Sequence, residues 1–334
     1  MGFQLEKVNC DLCGSNKFNF FSEQKDLIHK VDSTLFKVVS CNKCGLKFTN
    51  PRPTKDSIEY FYNTKYSFHA DKSKYIFFAK QLLKIFSKSA YVKKISFIFP
   101  KKVNQILIKF LKPNIQDPVL EFIYSKKVNR AKIKFLDIGC GSGLTTNFWG
   151  SKSSLSFLSK IVKVCGVEPS NDARKILSNY EIDSFQDIND LNSKDFFDII
   201  RLNWSLEHVH SPSKYFQFLR EHLTSNGIGV ICVPNVNGLL YKINQSALEL
   251  PVHLFHFDIN SLTNYSKKFN LNIEKYVTFT YPEMYLFAEK VGLINKNYNF
   301  NNMTLQDAFN FLNLHKIFDD LGFGNDILLV VKKK

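Results

Sequence analysis

Phe135-Leu136-Asp137-Ile138-Gly139-Cys140-Gly141-Ser142-Gly143 decides how this chain is read. An apolar run, FLDI, halts in GCGSG, and the following LTTNFW can open a helix. Strand, glycine turn and helix start together mark the carboxyl edge of an open α/β sheet, where nucleotide-like ligands sit. Glycine accepts positive φ there and keeps side chains out of a ligand's way. The spacing is G-x-G-x-G and lacks the sixth-position glycine of the dinucleotide fingerprint, which suits a ligand without phosphates.

Working outward, residues 161–170 (IVKVCGVEPS) form a second strand ending at Glu168. A carboxylate at that tip accepts hydrogen bonds from both hydroxyls of an adenosine ribose. It follows Gly139 by 29 residues, and the surplus over the usual spacing fits an expansion around 151–159. A short third strand is expected at 182–185, a fourth at 196–203 (FFDIIRLN), a helix at 213–223 and a buried fifth strand at 227–235. Residues 271–280 and 326–331 read as a closing antiparallel pair around a helical insertion.

Five segments in this order, FLDIGCGSG, GVEPS, FFDIIRLNWSLEHVHSP, LTSNGIGVICVPN and LPVHLFHF, resemble class I S-adenosylmethionine-dependent methyltransferases. More narrowly they resemble the branch with LEHV after the fourth strand, which includes quinone, sugar and glycan methyltransferases. The resemblance runs from about Lys132 to the C-terminus. It implies an α/β fold, a Rossmann-like seven-stranded sheet in the order 3-2-1-4-5-7-6 with helices on both faces. It also implies S-adenosyl-L-methionine as cofactor, with Asp137, Gly139, Gly141 and Gly143 walling its methionine side and Glu168 on its ribose. Asp187, or Asp190 if the loop register differs, is expected at the adenine amine. Asn203 and Trp204 are expected beside the sulfonium or over the adenine. One departure stands out: Thr224-Ser225-Asn226-Gly227 replaces the family's Lys-Pro-Gly-Gly and is expected to change only a surface turn.

Methyl transfer from a sulfonium is an in-line displacement, so the protein mainly aligns donor and acceptor and excludes water. A hydroxyl acceptor also loses a proton, best to a group titrating near neutrality. His208, just past the fourth strand, is the leading base, with a purely structural histidine as the other reading. Glu207 beside it either takes part or holds its neighbours. His253 lies in a segment resembling the family's Pro-x-His-Leu acceptor loop, His256 reads as packing, and His210 as a solvated turn residue.

Cys10-Asp11-Leu12-Cys13 and Cys41-Asn42-Lys43-Cys44, each followed by glycine, form two CxxCG knuckles. Such knuckles converge four thiolates on one tetrahedral ion, so Cys10, Cys13, Cys41 and Cys44 are expected to hold structural zinc, with iron as the other occupant. Four ligands leave no open position, hence no catalytic role for that ion. The expected organisation is a zinc ribbon at 1–55, a basic helical linker at 56–131 and a methyltransferase domain at 132–334. The resemblance also extends to family members in which a ribbon and a tyrosine-rich stretch cover the acceptor site, which brings in Tyr62 and Tyr66. Ordinary packing tyrosines on a helix are the other reading.

Of the net charge of +15, residues 72–134 alone carry 16 bases against two acids, so the positive field belongs to that segment and not to the sheet. Basic amphipathic helices suit anionic lipid surfaces or polyanions, and a solvated helical insertion is the alternative. The N-terminus shows no signal-peptide core and no run of 18 apolar residues occurs, so the sequence predicts a cytoplasmic protein, with peripheral contact at the inner face of the membrane left open. The expected acceptor is a small molecule or glycan, nucleotide- or lipid-linked, and the expected reaction is O-methylation of a sugar in cell-surface polysaccharide biosynthesis. An RNA methyltransferase is the rival, against which stand the uneven charge and the Asn203-Trp204-Ser205-Leu206 sequence after the fourth strand. A non-catalytic cofactor-binding module is the other.

Overall fold

A computed structural model describes residues 2–27, 30–62, 115–125, 130–144, 151–243, 249–280 and 305–334. Most of the expected basic linker, Tyr66, most of the LTTNFW helix start and residues 281–304 lie outside the described residues.

The centre is a seven-stranded mixed sheet built from β6 (Lys134–Ile138), β7 (Lys163–Val167), β8 (Asp183–Phe185), β9 (Phe197–Asn203), β10 (Leu223–Pro234), β12 (Leu271–Phe279) and β13 (Asp326–Lys333). The strands lie in the order β8-β7-β6-β9-β10-β13-β12. β8, β7, β6, β9 and β10 run parallel, while β13 is antiparallel to both β10 and β12. A sheet covered on both faces needs continuous apolar strands, because alternate side chains enter opposite cores. Leu136, Ile138, Ile200, Leu202, Ile231, Val233, Leu329 and Val331 enter one core. Phe135, Ile199, Val230, Cys232, Leu328 and Val330 enter the other.

The second core packs against helix α1 (Pro118–Ser125) and the short α2 (Leu155–Leu158). Helix α3 (Asn171–Ser178) connects β7 to β8, and its N-cap Ser170 accepts from Ala173 N. The first core is covered by α4 (Pro212–His222) and α6 (Ile259–Lys268), where Phe216 stacks on Tyr265. Helix α5 (Leu239–Ile243) follows β10, and α7 (Leu305–Asp320) precedes β13.

The stretch Thr224–Gly227, which departs from Lys-Pro-Gly-Gly, exposes Ser225 and Asn226 as expected of a surface turn but is not separate from the strand. It lies inside β10, where the register with β9 shifts between Leu223 and Ile228. A Cβ on Gly227 would stand 3.0 Å from the carbonyls of both Phe197 and Asp198, so glycine allows the strand to pass β9 closely there.

The N-terminal region forms strands β1 (Leu5–Glu6), β2 (Phe18–Lys25), β3 (Leu35–Cys41), β4 (Lys47–Thr49) and β5 (Arg52–Pro53). β1 pairs with β5. The other three make a four-stranded sheet, order β11-β4-β3-β2, whose fourth member β11 (Phe255–His256) comes from the segment after β10. Leu12, Leu46 and Phe48 belong to the same buried cluster as Leu206, Phe255 and Phe257. The cysteine-bearing strands are therefore continuous in packing with the central sheet.

Candidate functional site

The strand order reverses at β6, with β7 on one side and β9 on the other, which opens a crevice at the carboxyl ends. The Gly139–Gly143 loop, Glu168, Asp187 and Asn203, spread over 65 residues of sequence, thus stand along one edge at the tips of β6, β7, β8 and β9. Gly139 (φ +73) packs so tightly on the loop after β9 that a Cβ would lie 2.4 Å from Ser205 Cβ. Ser205 Oγ in turn donates to Ile138 O, locking the two loops together.

Glu168 spans the crevice floor. Its Oε2 accepts from Gly141 N at 2.9 Å and its Oε1 from Ser170 N at 2.9 Å, so it shapes the glycine loop and keeps a second lone pair on each oxygen for a ligand. Asp187 caps a 3-10 turn through Asn189 N and meets Lys55 Nζ at 3.4 Å. Asp190, the alternative, turns Oδ2 back onto Gln186 N and Asp187 N.

Asp137, expected at the methionine-side wall, is buried. Its carboxylate is gripped by Arg201, its cross-strand neighbour in β9, through Nε (2.8 Å) and Nη2. Arg201 Nη1 also donates to Ser153 O and Oγ, both at 2.9 Å. Both residues are buried, so this pair organises the edge from beneath. Trp204 (φ +51) likewise turns its indole N–H onto Asp326 Oδ1 of β13 (2.8 Å), which fixes the ring on that side of the crevice. Burial pushes Asp326 up to about 8, against the lowering effect of the indole bond.

Just after β9, Glu207 and His208 converge with His253, one ligand-type atom from each lying within 4.8 Å of the others. The rings of His208 and His253 meet edge to face at 4.7 Å. His208 Nδ1 lies 3.0 Å from Val252 O and 3.1 Å from the Tyr62 hydroxyl. His253 Nε2 stands 3.3 Å from Glu249 Oε2. Burial raises Glu207 well above the carboxylate range against the lowering effect of its own backbone N–H, and Glu249 and Asp326 add smaller raising contributions. Neither oxygen finds a well-aligned donor among the described residues. Glu249 keeps 26% side-chain exposure, yet burial still lifts it to about 7. Tyr62 is 44% exposed as a residue while its hydroxyl turns inward, so burial of that group and the acids Glu207, Glu168 and Glu249 raise the phenol. It follows the 3-10 turn Ile58–Phe61 and is not a packing tyrosine on a helix.

His256 is buried beside Thr49 Oγ1 (3.3 Å), and burial followed by Lys47 lowers it to about 3, which agrees with a packing residue. His210 is not solvated: its Nε2 meets Pro53 O at 3.1 Å and its carbonyl accepts from Arg52.

The four N-terminal cysteines form a second convergence. Their sulfurs all lie within 4.8 Å of one another, with Cys10–Cys44 at 3.4 Å and Cys13–Cys41 at 3.5 Å. Gly14 N donates to Cys10 O and Gly45 N to Cys41 O, and both glycines take positive φ to close the knuckles.

Residues 107–276, just over half of the chain, match a family of methyltransferase domains. This chain belongs to that family. It is a methyltransferase. Solved structures similar to this methyltransferase include a TehB-like S-adenosylmethionine-dependent methyltransferase from Corynebacterium glutamicum, 14% identical over 64% of this chain and 86% of that one, TM-score 0.37. YcgJ from Bacillus subtilis is 14% identical over 65% and 98%, TM-score 0.41. An S-adenosylmethionine-dependent methyltransferase from Clostridium acetobutylicum is 16% identical over 78% and 98%, TM-score 0.37. No curated protein matches the chain. No described helix of the methyltransferase is long and apolar enough to cross a membrane.

Several buried or half-buried polar positions beside the crevice gave no sequence signal strong enough to find. Arg201 interrupts an apolar strand, which could have prompted a search for its acid. Asp326 and Glu249 sat in segments without a motif.

Proposed function

We propose that this methyltransferase transfers the methyl group of S-adenosylmethionine to a hydroxyl of a small or glycan-like acceptor, a sugar destined for the cell surface. The observation carrying this reading is the Glu207–His208–His253 cluster just after β9, the strand next to the one that ends in the glycine loop. When bound, the cofactor supplies an electrophilic methyl on a sulfonium. The residues present suit it: Glu168 keeps lone pairs that could accept from a ribose, Gly141 (φ +56) carries no side chain, and Asp187 follows β8, where the adenine amine is expected. The sugar assignment rests on the resemblance of the LEHV and Pro-x-His-Leu segments, and nucleotide- or lipid-linked sugars are the acceptors to screen.

His208 takes the acceptor proton in this reading. With 27% side-chain exposure it is the most open member of the cluster, and Val252 and Tyr62 fix its ring. His208→Ala should lower turnover by roughly 10²–10⁴-fold while leaving cofactor affinity near wild type, the usual range for loss of a general base. The wild-type pH–rate profile should show one ionisation in the histidine range that the variant lacks. A fully active variant with an unchanged profile would remove the base role.

The cysteine cluster fits structural zinc. At a Zn–S distance of about 2.3 Å, tetrahedral sulfurs stand roughly 3.8 Å apart, close to the spacing of these four. Cys10, Cys13, Cys41 and Cys44 would hold the ion and leave it no open position.

A further inference from the structure

We propose that Gln24 and Ser22 of β2 form a binding subsite for a neutral, hydroxyl-bearing part of the acceptor, an inference that rests on the sugar reading above. Both residues are only 5% exposed. Neither polar atom of the Gln24 amide, nor the Ser22 hydroxyl, has a hydrogen-bond partner among the described residues. Buried amides and hydroxyls are normally paired, because leaving one unpaired costs free energy. Two such groups, two residues apart on one strand, point to the same face. An amide offers a donor and an acceptor, and a hydroxyl offers both, which matches the hydroxyls of a sugar. Neither group is charged. Asp26, buried two residues further on with Oδ2 accepting from Val31 N, disfavours an anion at that end.

Strand register places the pair. Gln24 stands opposite Phe36 and Ser22 opposite Val38, and Val38 stands opposite Thr49 on its other side. Facing residues of antiparallel strands share a face of the sheet. Ser22, Val38 and Thr49 therefore form one row across β2, β3 and β4, about 10 Å long at the usual strand spacing. At the inner end of that row, Thr49 Oγ1 donates to His253 O. Phe36 and Val38 belong to a buried cluster with Phe61, Leu250 and Val252. Val252 carries the carbonyl 3.0 Å from His208 Nδ1, and Phe61 precedes Tyr62, whose hydroxyl lies 3.1 Å from the same nitrogen. The polar pair thus shares its face with apolar residues that adjoin the proposed acceptor side. An apolar wall with a few placed polar groups is the usual build of a small-molecule site. Two strands away from Thr49, the subsite meets a part of the acceptor beyond the ring that is methylated. Loss of stability from unpaired groups is tolerated where those groups bind a ligand.

The test compares wild type with Gln24→Met, which keeps the side-chain length, and Ser22→Ala, which removes only the hydroxyl. The full chain is used, with zinc in the cysteine centre and the demethylated cofactor bound. The probes are nucleotide-linked neutral hexoses and neutral disaccharides. Without a probe, each variant should raise the midpoint of thermal unfolding by roughly 2–4 °C, since it removes an unpaired buried group. Each should weaken binding of the best probe about tenfold in calorimetry and leave cofactor affinity unchanged. For a probe that is methylated, the loss should appear in KM with kcat kept. Probe affinity unchanged in both variants overturns the subsite, and methylation of a sugar by wild type would then leave the sugar reading standing. Lower stability in both variants also overturns it, because the two groups would then be held within the protein. Wild-type protein that binds none of the probes removes the sugar reading and the subsite with it.

Discussion

Replacing Arg201 by methionine should be among the most damaging single changes in this enzyme. The guanidinium is 2% exposed, the Asp137 carboxylate 6%, and they meet through two parallel hydrogen bonds. Arg201 also holds Ser153 through Nη1 and lies 4.9 Å over the Phe135 ring. Removing one partner of a buried pair strands the other charge, which costs about 3–5 kcal/mol. Asp137→Leu should cost a similar amount, because it strands the arginine. The double variant Asp137→Leu/Arg201→Met should recover most of that loss, since a well-packed apolar pair often replaces a buried ion pair with little change. The two single losses should therefore fail to add by about 5 kcal/mol or more, measured by urea denaturation of all four proteins. Calorimetry with the demethylated cofactor separates two roles for Asp137. If the residue acts by holding the loop through Arg201, both single variants lose affinity together. Affinity lost only in Asp137 variants would instead put its carboxylate on the cofactor. An Arg201→Met protein within 1 kcal/mol of wild type, or additive losses in the double variant, would refute the pairing argument.

Glu168→Ala should weaken cofactor binding by about 2–4 kcal/mol, from two charge-assisted hydrogen bonds to the ribose; wild-type affinity by calorimetry would remove the ribose role. Cys41→Ser should cut bound zinc from about one equivalent to little, by elemental analysis, and should impair turnover more than cofactor affinity. Asp326→Asn tests the buried acid of β13. Its folded pKa is raised from 3.8 to about 8, so the native state gains from the neutral form at low pH and loses that gain as pH rises through 8. At about 1.4 kcal/mol per unit the upper bound is roughly 6 kcal/mol, and relaxation should leave about 2–3 kcal/mol. The variant's advantage in thermal unfolding should therefore grow from pH 5 to pH 9, and a constant difference would count against a neutral Asp326.

The central sheet was legible because strands buried on both faces must be apolar throughout, and FLDI, FFDIIRLN and GIGVICVPN admit few other readings. The tips of those strands were legible for the same reason: a glycine turn or a carboxylate directly after such a run has little structural alternative. What could not be read were partners set by tertiary packing. Asp11, between two cysteines, accepts from Ser211 Oγ, Ser213 N and the Tyr265 hydroxyl, around 200 residues or more away, and no local pattern announces that. Nothing near Trp204 in sequence announces that its indole N–H is tied to Asp326 of β13. Thr224–Gly227 has turn composition, yet strand pairing on both sides draws it into β10.

These long-range contacts divide the site by origin. The cofactor edge is set by β6 to β9, whose register fixes Gly139, Glu168 and Asn203. The acceptor side is held from the N-terminal sheet. Thr49 N donates to Leu254 O, Thr49 Oγ1 to His253 O, and Leu254 N to Glu207 O, so β4 indexes both His253 and Glu207. Tyr62 reaches His208 from the same direction, and Asp11 pins the start of α4, just after the LEHV turn. A disturbance at the cysteines thus travels along β3 and β4 to the residues proposed to meet the acceptor, while the glycine loop keeps its own supports. That asymmetry is why loss of the cysteine centre should appear first in turnover and pH profile, and only later in cofactor affinity.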